Sequence, residues 1–338
     1  MSCRYLKIED FCSTGSGGTP SRSKPEYYEG GDIPWIKSGD LKDSKIYEAN
    51  EYITAAGLEN SSAKIVEKDS ILIAMYGATV GRLAILGINA ATNQAICNIR
   101  PDTTIADMKY LYYFLKSKFS YFVENAVGGA QPNISQGLIK SLEVPLPSLD
   151  EQKRIADILD KAAGVCQKRE QAIKLADDFL RAKFLEMFGT PANNIHRFPK
   201  GTIRDLVDSV NYGTSAKASI DSGEYPILRM GNITYQGRWD FTDLKYLDLS
   251  VKEKDKYLVK EGDLLFNRTN SKELVGKTAV YEEDRPMAFA GYLIRVRPNS
   301  IGNNYYISGY LNSIHGKITL MNMCKSIVGM ANINAQEL

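Results

Sequence analysis

The sequence has few of the residues on which metal and redox sites depend. It contains five cysteines and two histidines, and the cysteines show no C-x-x-C spacing, so neither a disulfide scaffold nor a structural zinc site is expected. No apolar run approaches the roughly 18 residues that a membrane-spanning helix needs. The N-terminal MSCRYLKIEDFCS carries acidic residues where a signal peptide has a basic start and an apolar run. We therefore expect a cytoplasmic protein without membrane association.

Catalytic signatures are missing as well. GATVGR (Gly77–Arg82) lacks the Lys-Ser/Thr of a phosphate-binding loop and is more typical of a hairpin turn. GSGGT (Gly15–Thr19) does not lie between a clear strand and a helix, as a dinucleotide site requires. Asp102, Asp107 and Lys109 loosely match a nuclease pattern, but a turn that caps a helix explains them better. We expect no catalytic residues and no metal site on this chain.

The net charge does not indicate a nucleic-acid partner either. The 42 basic and 40 acidic residues leave a formal net charge of +2, and no segment has the strong basic excess that usually marks a DNA-binding domain. The length is more informative. A chain of 338 residues exceeds the roughly 250–300 at which a single core stops growing, so two domains are expected.

One long helix is predicted in the middle of the chain, over residues 148–188. Ser148 followed by Glu151 forms an S-x-x-E capping box, and Gly189 before Pro191 provides a stop. About 40 residues correspond to roughly 60 Å at about 1.5 Å per residue. A single small domain does not need a helix of that length.

Apolar residues in this helix recur with the seven-residue period of a coiled coil. Acidic residues precede basic ones by four positions on its polar faces, as in Asp150/Arg154 and Asp177/Arg181. The residues expected to pair with another helix or to dock partner subunits are Ile155, Leu159, Ala162, Cys166, Ile173, Ala176 and Leu180. A helix buried inside one globular domain is the alternative interpretation.

The same five blocks follow one another on either side of this helix. In residues 1–147 they are Trp35–Leu41, Asp69–Leu86, Ile96–Pro101, Tyr110–Ser117 and Gly128–Ser135. In residues 189–338 they are Ile227–Ile233, Asp263–Tyr281, Leu293–Pro298, Tyr305–Ser313 and Val328–Asn334. An internal repeat of this kind indicates two similar domains. Runs of β-branched and aromatic residues between Gly/Asn turns predict short strands, and the tyrosine-rich block predicts a helix, so each domain is expected to be α+β.

Polar loops with interspersed aromatic residues recur at matching places in both halves. Asn and Gln can pair with adenine, Arg and Lys can pair with guanine, and Ser and Thr can hold phosphates. The candidate DNA-contact residues are Thr19, Ser21, Arg22, Lys37, Tyr76, Thr79, Asn93, Gln94, Gln131 and Asn133, followed by Tyr212, Thr214, Arg229, Asn232, Asn267, Arg268, Asn270, Lys272 and Asn332. The polar hairpin from Asn267 to Lys272 is expected to match Tyr76–Gly81. Because Asn, Gly and Ser form turns in any loop, that interpretation stays open at each single position.

Seven motifs occur in a fixed order. They are GGTPSR (Gly17–Arg22), YY (Tyr27–Tyr28), GDIPWIKSGDL (Gly31–Leu41), a G-x-T-x-G hairpin (Gly77–Gly81), NQA (Asn93–Ala95), GGAQPNIS (Gly128–Ser135) and PLPSLDEQKRIADILD (Pro145–Asp160). The Q-x-N-I-S block followed by PLP-x-L-x-E-Q-x-x-I is especially specific. In this order the motifs resemble the specificity subunit of type I restriction–modification enzymes, and the resemblance extends over the whole chain.

The resemblance implies a non-catalytic subunit with two target recognition domains, 1–147 and 189–338, each of which reads one half of a bipartite sequence in double-stranded DNA. It implies two long helices that pack antiparallel, set the spacing between the domains and dock the methyltransferase (modification) subunits. It assigns S-adenosylmethionine to those subunits and ATP to the restriction subunit that joins through the complex, and it places Mg on partner subunits as well. No cofactor is therefore expected on this chain.

The second of the family's two helices does not occur within these residues, because the second half reaches Leu338 directly after its Asn-Ile-Asn block. The apolar seam of the first helix is then uncovered, and an exposed apolar stripe is unusual in a soluble protein. We expect this helix to pair in trans with the same helix of a second copy, with a separately encoded C-terminal fragment, or with a modification subunit.

Two other functions are kept as alternatives. One is an adaptor that binds modification subunits without recognising DNA, which DNA-binding measurements on the two domains distinguish. The other is a degenerate nuclease centred on Asp102, which metal-dependent cleavage by the purified chain would reveal.

Overall fold

The chain folds into two compact units, each with its own hydrophobic cores. The computed structural model describes residues 4–129, 131–271, 273–327 and 330–338. It divides into a first unit, Met1–Lys168, and a second unit, Arg169–Leu338. The prediction of an α+β fold with a long helix between two similar domains is confirmed. Each unit includes part of that helix, whereas the sequence-based division treats residues 148–188 as an element apart from both domains.

The first unit consists of short strands and helices. Its strands are β1 (Arg4–Lys7), β2 (Cys12–Ser16), β3 (Ile33–Ile36), β4 (Lys45–Ile46), β5 (Glu51–Ile53), β6 (Ile65–Val66), β7 (Ile71–Ala74), β8 (Leu83–Leu86), β9 (Ala90–Thr92), β10 (Ile96–Pro101) and β11 (Glu143–Leu146). Its helices are α1 (Ile8–Phe11), α2 (Ala55–Glu59), α3 (Met108–Ser117), α4 (Phe119–Glu124), α5 (Gln136–Lys140) and α6 (Leu149–Phe188), which continues into the second unit.

Two sheets form the body of the first unit. One has the strand order β2-β10-β7-β8-β4, and the other has the order β5-β3-β9-β6. Strand β7 is apolar throughout because both of its faces are buried. Ile71 and Ile73 contact the core under the helices, whereas Leu72 and Ala74 belong to the core that includes Ile36 of the other sheet. This alternation explains a strand without polar positions.

The second unit has the same kind of composition. Its strands are β12 (Val207–Tyr212), β13 (Tyr225–Leu228), β14 (Lys245–Leu247), β15 (Leu258–Val259), β16 (Leu264–Asn267), β17 (Thr269–Asn270), β18 (Thr278–Val280), β19 (Met287–Phe289), β20 (Leu293–Pro298), β21 (Lys325–Ile327) and β22 (Met330–Asn332). Its helices are α7 (Val251–Tyr257), α8 (Asn304–Asn312) and α9 (Ile314–Met323). Single 3₁₀ turns occur at Pro25–Tyr27, Ser38–Asp40, Gly77–Thr79, Ile203–Leu206 and Met230–Asn232.

The strand orders confirm the internal repeat. Sheet β14-β13-β19-β15 of the second unit corresponds strand by strand to β5-β3-β9-β6, and β12-β20-β16-β18 corresponds to β2-β10-β7-β8, with no counterpart of β4 among the described strands. A glycine follows β2 and β12 at matching points, and a Cβ on Gly17 or Gly213 would lie 1.9 Å or 2.3 Å from a backbone oxygen of the adjacent sheet. Only glycine allows the chain to pass this closely. The repeat is not complete, because Ser135 caps a helix whereas residues 335–337 form turns.

Helix α6 begins and ends where its caps predict. The Ser148 hydroxyl accepts a hydrogen bond from the Glu151 backbone N–H at 3.4 Å, and Gly189 follows Phe188 with φ +67°. The Glu151 carboxylate, however, binds Arg154 rather than closing the capping box. The predicted pair of Asp177 with Arg181 is also wrong, because Asp177 binds Arg238 at 2.5 Å. No described helix combines the length and the apolar character needed to cross a membrane.

A buried glutamine anchors the start of α6 to the first unit. The Gln152 side chain is 0% exposed, and its Oε1 accepts the backbone N–H of Asp107 at 2.9 Å. Its Nε2 donates to the carbonyls of Ile105 at 3.1 Å and Pro147 at 2.9 Å. Because a side-chain amide is both donor and acceptor, one residue satisfies backbone groups from two loops. Ala156, one turn later, is buried in the same core.

Replacing this glutamine tests the anchor. Gln152→Ala should lower the free energy of unfolding by about 2–4 kcal/mol, because each buried backbone group left without a partner costs about 1–3 kcal/mol. Urea denaturation followed by circular dichroism measures the change. Gln167→Ala removes an exposed glutamine from the same helix and should change stability by less than about 0.5 kcal/mol. Equal effects of the two substitutions would contradict the anchoring role.

Candidate nucleic-acid interface

Several predicted DNA-contact residues of the first unit meet at one surface. The Thr19 hydroxyl donates a hydrogen bond to Oε1 of Gln94. Backbone N–H of Asn93 donates to the carbonyl of Ile36 at 2.9 Å, which brings the loop after β9 beside Lys37. The Asn93 Oδ1 is buried and has no hydrogen-bond partner within the described chain. The Ser21 hydroxyl lies 2.8 Å from that of Ser23, at an exposed position of the same loop as Thr19.

A glutamate that the sequence did not single out joins two of the predicted cations. Glu51 Oε2 accepts a hydrogen bond from Arg22 Nη2 at 2.6 Å, and Oε1 accepts one from Lys37 Nζ. Hydrogen bonds from Lys37 and Arg22 hold the pKa of Glu51 below its usual range. Glu51 lies directly opposite Trp35 in the β3–β5 pair. Only strand pairing brings residues so far apart in sequence together, so no local motif could have revealed this carboxylate.

A second group of predicted residues surrounds the hairpin between β7 and β8. Tyr76 and Asn133 form an isolated antiparallel bridge, and the Thr79 hydroxyl donates to the Tyr76 carbonyl at 3.0 Å. Gln131 is exposed in the loop that supplies Asn133. The backbone N–H of Met75 donates to the Ala95 carbonyl at 2.7 Å and so connects this hairpin to the loop of Asn93 and Gln94. The hairpin interpretation of residues 77–82 is confirmed.

The second unit brings three predicted residues together. The Arg268 guanidinium carbon lies 4.8 Å from the centroid of the Tyr212 ring, and Arg268 Nη2 donates to Asn332 Oδ1 at 3.4 Å. Asn332 Nδ2 in turn donates to the Thr269 hydroxyl at 2.7 Å. The Tyr212 hydroxyl accepts the backbone N–H of Ala335 at 2.9 Å. Arg268 is thereby held in one orientation by an aromatic ring and an amide.

Backbone hydrogen bonds define how the two hairpins correspond. In the first unit, the Met75 N–H donates to the Ala95 carbonyl, and the Met75 carbonyl accepts the Ile134 N–H. In the second unit, the Arg268 N–H donates to the Tyr292 carbonyl, and the Arg268 carbonyl accepts the Ile333 N–H. Arg268 therefore corresponds to Met75, and Asn267 to Ala74. The predicted match of Asn267–Lys272 with Tyr76–Gly81 is wrong by two residues. Thr269 pairs with Asn332 as Tyr76 pairs with Asn133, so Thr269 is the residue that corresponds to Tyr76.

Burial corrects several predicted contacts. Asn232 is 3% exposed, and its amide is used by the backbone of Arg229, Asp240 and Asp243. Asn267 is 0% exposed, with neither amide atom hydrogen-bonded within the described chain, and Thr214 is 5% exposed. Asn232 stabilises its loop through these hydrogen bonds. In this conformation none of the three buried side chains is presented to a base edge.

Two further predicted residues of the second unit have local partners. Arg229 Nη2 donates to Asp243 Oδ2 and to the Asp243 carbonyl, each at 2.8 Å. Asn270 Oδ1 accepts the backbone N–H of Ser271 at 2.9 Å. Lys272 lies outside the described residues.

The residues of the nuclease pattern have structural roles in turns, caps and an ion pair. Hydrogen bonds from the Thr104 hydroxyl and backbone hold the pKa of Asp102 below its usual range. Asp107 caps α3 by accepting the Tyr110 N–H at 2.9 Å, and Lys109 forms an ion pair with Asp160. Across residues 4–129, 131–271, 273–327 and 330–338 there is no group of three Cys, His, Asp or Glu side chains arranged to hold a metal ion.

Most heptad residues of α6 are exposed. Ile155 packs against the core of the first unit, but Leu159, Ile173 and Leu180 are 38%, 54% and 60% exposed. We call the exposed set the heptad stripe: Leu159, Ala162, Cys166, Ile173, Ala176 and Leu180.

The end of α6 uses an adjacent strip of its surface to pack against the second unit. The rings of Phe184 and Phe188 lie 5.5 Å and 5.0 Å from that of Tyr306. Asp177, seven residues before Phe184, belongs to the same strip and binds Arg238. The helix is thus fixed to the unit without using Ile173 or Leu180, and the heptad stripe stays available.

Comparison with known proteins identifies relatives over both units. The family described as "Type I restriction modification DNA specificity domain" matches residues 4–175 and 198–338. The specificity subunit of the Escherichia coli type I restriction enzyme EcoR124I/EcoR124II is 33% identical over 150 residues, 43% of this chain and 37% of that protein. The MjaIX specificity subunit of Methanocaldococcus jannaschii is 33% identical over 187 residues, 54% of this chain and 42% of its own length.

A longer alignment joins this chain to the EcoKI specificity subunit of E. coli K12, at 24% identity over 330 residues, 90% of this chain and 70% of that protein. The chain therefore matches less than half the length of the first two relatives and 70% of the length of the third.

Solved structures share the fold. The crystal structure of a type I restriction–modification S subunit from M. genitalium aligns with a TM-score of 0.54 and 14% identity, over 98% of this chain and 85% of that one. A chain from a type I R-M system aligns with a TM-score of 0.51 and 16% identity, over 99% and 84%. With a family match that spans both units, this chain belongs to the family of type I restriction modification DNA specificity domains.

Proposed function

We propose that this chain is a non-catalytic DNA-recognition subunit of a type I restriction–modification complex, in which each unit reads one half of a bipartite target. The observation that carries the proposal is the duplicated arrangement of two sheets with polar loops attached at the same backbone positions. One structure repeated with different loop side chains is suited to recognising two different short sequences. The relatives named as specificity subunits support the same role.

Side-chain chemistry at the two surfaces supports base recognition. Arginine pairs with guanine through two parallel N–H donors, and an amide such as that of Gln94 pairs with adenine. Arg268 is oriented by Tyr212 and Asn332 before any ligand arrives, so little rotamer entropy remains to be lost on binding. Phosphate contacts position a protein on DNA, whereas contacts of this directional kind supply sequence information.

The remaining functions of such a complex are proposed for partner subunits. S-adenosylmethionine would be bound by modification subunits, and ATP and Mg by the restriction subunit. Helix α6 would set the spacing between the half-sites and dock the modification subunits. The exposure of the heptad stripe supports this role, because apolar coiled-coil positions are normally covered by another helix.

Exchanging one unit tests modular recognition. Replacing residues 1–147 with the corresponding domain of a relative should change one half of the methylated sequence and leave the other intact. Methylation-sensitive sequencing of a host genome that carries the matching modification subunit measures the outcome. Simultaneous change of both halves would contradict independent reading, and methylation that ignores the exchange would favour the adaptor function.

Arg268 is the sharpest single position for base recognition. Arg268→Ala should cost on the order of 1–3 kcal/mol of binding and relax discrimination at one base pair, because a bidentate guanine contact is lost. Binding to a panel of singly substituted duplexes measures both effects. Arg204→Ala removes an exposed arginine from the same unit and serves as the control. Equal weakening on all sequences, with a salt slope lower by about one, would instead identify a phosphate contact.

The heptad stripe is proposed to pair in trans with a second copy, a separate C-terminal fragment or a modification subunit. Leu159→Asp and Ile173→Asp should abolish association while both units stay folded, because each places a charge in an apolar seam. Light scattering on the chain, alone and with its modification subunit, measures association.

Gln171→Asp is the matched control for these substitutions, since position 171 lies on the opposite side of the helix from Ile173 and Leu180. It should leave association unchanged. A chain that stays monomeric at micromolar concentration, both alone and with the modification subunit, would contradict the pairing.

A further inference from the structure

Carboxylates neutralise basic side chains at the candidate interface of both units. In the first unit, Glu51 bonds to Arg22 at 2.6 Å and also to Lys37. In the second, Asp243 bonds to Arg229 at 2.8 Å. Each of these three cations was predicted from the sequence to contact DNA, yet each already has an acidic partner within its own unit.

Lys37 and Arg229 occupy corresponding places in the two units. Ile36, just before Lys37, accepts a hydrogen bond from Asn93 N–H at 2.9 Å, and Leu228, just before Arg229, accepts one from Ala290 N–H at 2.9 Å. The acids do not correspond, because Glu51 lies within β5 whereas Asp243 precedes β14. A cation at the same place in both units is therefore paired with an acid from a different position along the chain.

Two aromatic rings lie beside the paired Arg22 side chain. Its guanidinium carbon lies 4.3 Å from the centroid of the Tyr28 ring and 5.1 Å from that of Trp35. Trp35 Nε1 donates to the Gly18 carbonyl at 3.1 Å, and the Tyr28 hydroxyl donates to the Pro20 carbonyl at 2.5 Å. Both rings are hydrogen-bonded to the backbone, so Arg22 lies between an aromatic surface of defined position and Glu51.

An acidic partner affects non-specific and specific binding differently. Every DNA sequence has the same phosphate backbone, and cations that bind phosphates supply most of the non-specific affinity for DNA. A cation that must first release a carboxylate contributes less to that affinity. Contacts to base edges need defined geometry, which a cation held in place retains. Elements that penalise the wrong partner raise specificity without adding contacts to the right one.

We infer that Glu51 and Asp243 are positioning residues that restrict non-specific DNA binding, by holding Arg22, Lys37 and Arg229 away from the phosphate backbone. The inference rests on the proposed DNA-recognition function. It assigns a role in specificity to two acids that need make no contact with DNA.

The test uses the full chain and two duplexes: a random-sequence duplex, and a duplex selected by the unchanged chain from a random pool. Glu51→Gln should raise affinity for the random duplex roughly two- to fivefold, the usual range for an exposed ion pair. The slope of log affinity against log salt should steepen by about 0.9 for each cation that gains a phosphate. Affinity for the selected duplex should rise less, so the ratio of specific to non-specific binding should fall.

Matched variants separate a local effect from a change of net charge. Glu59→Gln alters charge equally at an exposed position of α2, and it should leave the salt slope unchanged. Adding Arg22→Gln and Lys37→Gln to Glu51→Gln should abolish the gain. Asp243→Asn, with Asp255→Asn as its exposed control, repeats the test in the second unit.

The outcomes distinguish this inference from the function on which it rests. If the unchanged chain, alone and with its modification subunit, selects no sequence from the pool, the DNA-recognition function fails and this inference with it. The inference alone is overturned if the unchanged chain does select a sequence but the variants do not differ from their controls. In that case Glu51→Gln has the same specificity ratio and salt slope as Glu59→Gln, and Asp243→Asn has the same values as Asp255→Asn.

Discussion

The candidate interface in each unit depends on one residue whose backbone groups join three segments of chain. In the first unit this residue is Met75, which bonds through its N–H to Ala95 and through its carbonyl to Ile134. In the second it is Arg268, bonded in the same way to Tyr292 and Ile333. Since main-chain groups make these bonds, the side chain is not needed to hold the loops together. A buried methionine at one site and an oriented arginine at the other are compatible with the same fold.

This separation between backbone and side chain explains how one architecture can serve two different recognition surfaces. Apart from β4, which has no counterpart among the described strands of the second unit, the two main sheets have the same strand order in both units, and a glycine passes close to the neighbouring sheet at the same point. The loops attached to them differ in chemistry. Arg268, Thr269 and Asn332 of the second unit form a polar group, whereas Met75, Tyr76 and Asn133 occupy the corresponding positions in the first. The two units differ in the side chains of loops whose backbone conformation does not depend on those side chains.

Helix α6 serves two purposes on adjacent strips of its surface. Gln152 and Ala156 fix its start through backbone hydrogen bonds and core packing, and Phe184 and Phe188 fix its end through aromatic contacts. Between these points the heptad stripe is exposed. Polar anchoring at the start is useful, because an amide bonded to two loops sets the direction in which the helix leaves the core.

The sequence by itself determined the α+β class, the internal repeat, the caps of the long helix and the set of polar loops. Periodicity, capping residues and motif order are local properties, so they can be derived without a structure. Only the tertiary structure decided which polar side chains are available. It buried Asn232 and Asn267, placed Glu51 between Arg22 and Lys37, and moved the match of the hairpins by two residues. Burial and ion pairing depend on strands far apart in sequence, and their register is set by packing that no single segment encodes.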